Sequence, residues 1–298
     1  MLEALPPTAR RGTFEIGRFA NGELFVTLST PVRQEHCMIL GAVAPPDERL
    51  LSLALLAHTL KKEGCQTVTA LIPYLAYSRQ DKDKPGESLA VAWVGSLLKA
   101  SGVDNVFTID VHSERDKHLF HLPLMSIFPA ELFASAIKKN QMSDATIVAP
   151  DNGAIPRCGA VNRALGRPDR GIPYFEKKRD RAGIKHTELF GTVGPRAIII
   201  DDILDTGATL VSACNRLLQA GSREIFIIVT HGLFTGTAWK ELWSLGVQQI
   251  FCRDTVSGRK ATLDEHRIRA LHIGQLLKDQ VAILQGVPGP QTQDKIHR

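Results

Sequence analysis

The stretch AIIIDDILDTGATL, residues 197–210, restricts what this chain can fold into more than any other. Ala197 to Ile200 predict a buried strand, turn formers follow Leu204, and the apolar run Leu210 to Ala220 predicts a helix. Asp201, Asp202, Asp205, Thr206, Gly207, Ala208 and Thr209 lie between them. They fall at the C-terminal end of a strand, where open α/β sheets bind ligands. Gly207 permits positive φ and close backbone approach, and the amides of 206–209 open a helix whose positive end can wrap a phosphate. Asp201 and Asp202 would then face sugar hydroxyls. A plain strand, turn and helix cap with Thr206 or Asp205 is the alternative, but capping alone does not account for two adjacent acids.

At 298 residues the chain suits two ordinary domains or one large one, and 44% hydrophobic with 22% charged residues is a globular balance. The opening MLEALPPTARRGTFEIG lacks the apolar stretch of a signal peptide, and no apolar run approaches the ~20 residues that span a bilayer. The expectation is a cytoplasmic protein with no membrane partner. The five cysteines are scattered without C-x-x-C spacing and argue for neither a disulfide framework nor zinc. A net charge of +5 fits nucleic acid or a small phosphorylated substrate. No basic run or aromatic–basic interleaving appears, so nucleic acid is not expected.

In chain order, Glu23 to Ser29 predict a strand after the Asn21-Gly22 turn, His36 to Val43 a second, Glu48 to Lys62 a helix ending at Gly64, and Gln66 to Pro73 a third strand. SRQDKDKPGE then forms a charged loop, either a solvated connection or a grip on a polyanion or base. Residues 97–113 and 216–232 repeat one layout: a leucine-rich helix end, a small-residue turn and a strand ending in His112 or His231. The repetition suggests two related α/β halves. Leu122 to Phe128 are read as a bridge into a helix at Ala130 to Lys139, and the polar break 140–144 as the domain boundary. Asp151 and Gly153 again lie between a strand and a helix. Beyond Pro173 to Phe175, Lys177, Lys178, Arg179 and Arg181 form a cationic excursion, either a solvated hairpin tip or an arm that closes over phosphates. Gly236 to Leu245 are read as a helix, Gln248 to Cys252 and Arg267 to His272 as strands, Gln275 to Leu284 as a helix, and 286–298 as a flexible tail.

Together FANGE (19–23), PYLAYSRQDK (73–82), IDVHS, APDNG, EKKR and IIIDDILDTGATL resemble, in order, the motifs of ribose-phosphate pyrophosphokinases, the synthetases of phosphoribosyl pyrophosphate. The resemblance spans about Arg18 to Leu284. It implies two tandem phosphoribosyltransferase-type α/β domains, each a mostly parallel sheet flanked by helices: 1–140 on the nucleotide side and 141–285 with the sugar phosphate loop. It also implies transfer of the β,γ-diphosphoryl group of ATP to the anomeric hydroxyl of ribose 5-phosphate, with Mg2+ and at least a dimer. Carried over by position, Phe19, Asn21 and Glu23 would lie at the adenine across a subunit interface, with Arg79 and Gln80 along the nucleotide. His112 and Asp151 would bind the magnesium complex of ATP, and Lys177 and Arg179 would stabilise the transferring group. Asp201 and Asp202 would hold the ribose hydroxyls, and 205–209 the 5-phosphate.

Three features depart from the family pattern. Asn21 stands where an aspartate is usual, and KPGESLA and HSERDKHLF differ from their counterparts. Phosphate activation and a hexamer are therefore not carried over. A phosphoribosyltransferase would explain 197–210 equally well but leaves the first half without a role. A non-catalytic regulatory homologue would not require Lys177, Arg179, His112, Asp151 and both loop acids together.

Overall fold

The computed structural model describes residues 9–168, 171–180, 183–256 and 266–284, with side chains at 177–187 and 283–284 outside the description. The tail expected at 286–298 lies outside the described residues.

The first half opens with an antiparallel hairpin, β1 (Phe14–Arg18) and β2 (Leu24–Leu28). A parallel sheet follows, built from β3 (His36–Leu40), β4 (Thr67–Ile72), β5 (Asn105–Ile109) and β6 (Leu124–Ile127) in sequential order. The helices α1 (Glu48–Lys62) and α2 (Ala90–Ala100) connect its first three strands, and the short α3 (Arg115–Leu119) lies before β6. Strands such as β4, buried at nearly every position, read as continuous apolar runs because both faces of a parallel sheet are covered.

The helix α4 (Ala130–Lys139) leads into the second half. There β7 (Thr146–Val148), β10 (Arg196–Leu204), β11 (Glu224–Gly232), β12 (Val247–Arg253) and β13 (Ile268–Leu271) form a second parallel sheet in that order. The helix α5 (Ile155–Ala164) follows β7, and the antiparallel pair β8 (Tyr174–Asp180) and β9 (Gly183–Phe190) is an excursion before β10. The helix α6 (Ala208–Gln219) links β10 to β11, and a final helix spans Gly274–Leu284. Among the described residues, no helix is long and apolar enough to cross a membrane.

Two connections differ from expectation. Residues 122–128 are not a bridge. They contain β6, an edge strand paired with β5 through Val106↔Leu124 to Ile109↔Ile127, too short to show a strand period beside its proline. At 236–245 the helix is reduced to a six-residue 3-10 turn, Ala238–Trp243, confined between Gly236 and Gly246, both at positive φ.

The cores cross the chain order. One face of the first sheet packs on α1 and α2 through Leu53, Leu56, Val94 and Leu98. Its other face, with Leu71, Phe107 and Ile109, is covered by Ile273, Leu277 and Val281 of the C-terminal segment. Conversely, Phe133 and Ile137 of α4 pack with Cys158 and Val161 of α5 against Ile198, Ile200 and Ile228 of the second sheet. Each half thus covers one sheet face with a helix supplied by the other. Both sheets then direct their C-terminal strand ends into one cleft.

Leu277→Ala should cost about 2–5 kcal/mol, the range for truncating a buried leucine. Chemical denaturation should show one cooperative transition moved to lower denaturant. An unchanged midpoint would mean that this helix does not close the first core.

Candidate active site

The end of β10 and the start of α6 build the wall around which the cleft is organised. Gly207 has φ 91, and a β-carbon there would lie 2.7 Å from the Trp239 α-carbon. Glycine is therefore demanded twice, by conformation and by space. The first helical bond, from the Val211 N–H to the Gly207 carbonyl at 2.8 Å, sets the amides of 206–209 at the positive end of α6.

Opposite stands the first half of the chain. The loop after β4 brings Arg79 across the cleft, where Nη1 donates to Asp205 Oδ2 at 2.6 Å. The end of β5 brings His112, whose Nδ1 lies 2.6 Å from Asp202 Oδ2. Behind them Arg157, on α5, donates through Nε to Asp110 Oδ1 at 2.7 Å and lies 3.8 Å from Asp202 Oδ2. Asp81 accepts from the Ser113 hydroxyl at 2.7 Å.

These contacts divide the two acids. Burial alone would raise the Asp202 carboxyl, but the His112 hydrogen bond and the Arg157 charge outweigh it and hold it well below the usual carboxylate range. Asp201 is driven the other way, by burial and then by the charge of Asp202. The hydrogen bond to Asp202 raises the His112 imidazole against the effect of burial, so Nδ1 is the donor of that pair. Two adjacent carboxyls at one strand end are thus pushed in opposite directions by their surroundings.

The cleft, about 1030 Å³, is lined by Arg79, Gln80, His112, Asp151, Asp201 and Asp202 and by the loop 205–209. The strand ends and the loops 79–82 and 205–209 singled out in the sequence thus line one cleft. Phe19, Asn21 and Glu23 do not line it. They sit on the exposed β1–β2 hairpin, where Phe19 is 59% exposed and the Asn21 side chain accepts from the Glu23 N–H at 3.1 Å. Glu176 lines the cleft at the base of β8; the side chains of Lys177 and Arg179 lie outside the described residues. Asp151 accepts from the Gly153 N–H at 2.9 Å.

Arg157, Asp81 and Thr230 escaped the sequence reading. Arg157 stands in a helix without charge periodicity, and Asp81 is one charge within a charged loop. Thr230 and His231 reach the β5 end only because the sheets abut: the Thr230 hydroxyl donates to Asp110, and His231 Nε2 lies 3.0 Å from the Ile109 carbonyl. Burial lowers His231 to about 4, so it is neutral and donates from Nε2.

Among the described residues, no three His, Cys, Asp or Glu side chains converge on a metal position. The donors present, one imidazole and the Asp151 carboxylate, fit a hard dication that keeps waters and takes its other ligands from phosphate oxygens.

Comparison with known proteins agrees with this geometry. Residues 8–102 match the model of the N-terminal domain of ribose phosphate pyrophosphokinase, and residues 142–286 that of the phosphoribosyl synthetase-associated domain. The chain is 30% identical over 276 residues to the ribose-phosphate pyrophosphokinase of Haemophilus ducreyi, covering 91% of this chain and 87% of that protein. It is 29% identical over 292 residues to the enzyme of that name from Vibrio cholerae, covering 93% and 92%. Among solved structures, phosphoribosylpyrophosphate synthetase from Mycobacterium smegmatis superposes with a TM-score of 0.81 at 26% identity, covering 92% of this chain and 91% of that one.

Gly207→Ala should weaken binding of a sugar phosphate by at least about tenfold, since strain at positive φ and the contact with Trp239 displace the loop amides. Calorimetry with and without nucleotide checks this; equal loss for both ligands would mean that the whole cleft has collapsed. Asp116, fully buried with Oδ1 unpartnered, is pushed up to about 6 by burial, against a hydrogen bond from the Ser113 N–H. Because the folded value lies above the unfolded one, the protonated form favours folding, and that contribution fades as pH rises from about 4 through 6. Thermal melts of Asp116→Asn should therefore gain on the wild type across that window and hold the gain above it. Parallel melting curves would refute this.

Proposed function

The chain belongs to the ribose-phosphate pyrophosphokinase family, and from that premise we propose how its residues carry out the reaction. The enzyme transfers the β,γ-diphosphoryl group of ATP to the anomeric hydroxyl of ribose 5-phosphate, giving phosphoribosyl pyrophosphate and AMP. The observation that carries the assignment is the facing of two loops across one cleft, held by the Arg79–Asp205 pair at 2.6 Å. A transferase that only consumes phosphoribosyl pyrophosphate has no use for the nucleotide loop.

In this reading the amides and hydroxyls of 205–209 bind the 5-phosphate, and Asp201 and Asp202 hold the ribose hydroxyls. Arg79 and Gln80 lie along the nucleotide. The division of labour follows the chain, with 1–140 on the nucleotide side and 141–285 on the sugar side.

As a kinase the enzyme uses a divalent cation, which we take to be Mg2+ held as its ATP complex by His112 and Asp151. Those two residues would hold the ion, which would supply neutralisation of phosphate charge. Attack at the β-phosphorus places charge on bridging and equatorial oxygens. Lys177 and Arg179 follow Glu176, a cleft-lining residue at the base of β8, and supply the positive charge for those oxygens.

Adenine recognition needs a second copy of the chain, because Phe19, Asn21 and Glu23 stand outside this copy's cleft. Phe14 and Ile16 on the same hairpin are also exposed, at 50% and 39%, which supports at least a dimer assembled around it. Five free cysteines suit a reducing cytoplasmic setting.

The test is AMP release from ATP and Mg2+ by the purified chain with and without ribose 5-phosphate. Sugar-dependent AMP is the expected product, and ADP would instead mean γ-phosphoryl transfer. In the same assay Lys177→Ala should lower kcat by about 10²-fold or more with little change in KM. A change confined to KM would reduce the arm to a binding element.

A further inference from the structure

Arg157 is assigned no part in the reaction by the preceding account, yet its guanidinium lies where the two halves meet. Nε donates to Asp110 Oδ1 at 2.7 Å, and Nη2 donates to the Val111 carbonyl at 2.6 Å and the His112 carbonyl at 3.1 Å. The same Nη2 is 3.8 Å from Asp202 Oδ2. One planar group thus touches three consecutive residues of the nucleotide half while standing beside an acid of the sugar half.

The segment it grips is held in an unusual conformation. Asp110 has φ 50, a region that non-glycine residues seldom occupy. Besides Arg157, the Thr230 hydroxyl donates to its carboxylate, and His231 Nε2 lies 3.2 Å from its carbonyl. All three come from the second half. The turn therefore sets the direction in which 111–112 leave β5 by reference to the opposite sheet, and His112 arrives within 2.6 Å of Asp202.

Stability alone is a poor explanation. A buried ion pair adds little to stability once desolvation is counted, and burial pushes the Asp110 carboxyl up to about 6 even with Arg157 beside it. What a fork bound to one carboxylate and two carbonyls supplies is a fixed angle as well as a distance. Lysine has the charge but not the fork.

We propose that Arg157, itself part of the cleft lining, is a positioning residue for diphosphoryl transfer: its fork fixes His112 and the strand end that carries it relative to Asp202. This rests on the reading of the cleft given above. It makes a different demand from that reading, because it requires Arg157 to act through His112.

The experiment is a double-mutant cycle on the full chain. Arg157→Lys should fold and should bind ATP and ribose 5-phosphate singly within about threefold of wild type by calorimetry, while kcat falls about 10²-fold, the scale of a misplacement near 1 Å. In a His112→Gln background the same substitution should cost less than about threefold, since residues that act as a unit are not additive. Multiplicative losses, or kcat falling only in step with binding, would overturn the proposal. If Arg157→Lys does not fold, Arg157→Met is measured in its place, and failure of both to fold would make the residue structural and end the argument. Wild-type protein that releases no sugar-dependent AMP would instead sink the reading of the cleft, and with it this proposal, before any variant is made.

Discussion

Everything in the cleft depends on keeping one carboxylate, Asp202, ionised at a position only 5% exposed to solvent. A lone buried charge is expensive, and an aspartate so placed would ordinarily take up a proton. It stays charged because a histidine from the other half donates to it and a guanidinium stands nearby. The charge at the end of β10 is therefore maintained jointly, by His112 from the first half and Arg157 from the second. Asp201, one residue away, is pushed the other way, by burial and by the charge of Asp202.

That dependence explains why the site lies where two sheets meet rather than at the end of one. A single parallel sheet presents one set of C-terminal strand ends, and here the loop at Gly207 forms one wall of the cleft. A second sheet facing the first provides the missing wall, and Arg79 and His112 are its contribution.

Much of this was legible in the residues. The D-D-x-x-D-T-G-x-T stretch marked a site because a glycine, two acids and small hydroxyls gather at one strand end, and the structure puts them in the cleft wall. Positive φ at Gly207 and the helix at Ala208 follow directly. Helices α1 and α4 were equally readable, each having an apolar face and lysines in its last turn. Short elements were not. Strand β6 has four residues, and nothing local separates an edge strand of that length from a linker. Arg157, Thr230 and Asp110 were invisible for a different reason: their roles are defined by partners 45 to 121 residues away, and no spacing rule in one chain reports such meetings.

The reciprocal covering of the two sheets also bears on how the chain is made. The sheet formed from residues 36–127 keeps the face of Leu71, Phe107 and Ile109 bare until Ile273 to Val281 arrive. On a ribosome that interval is about half of the 298 residues, so the half synthesised first waits for the second. The second sheet receives α4 before its own strands exist, and its last strand, β13, directly precedes the helix that covers the first sheet. The two cores are therefore completed together. The cleft, whose two walls belong to different sheets, becomes competent only once the chain has emerged as far as Val281.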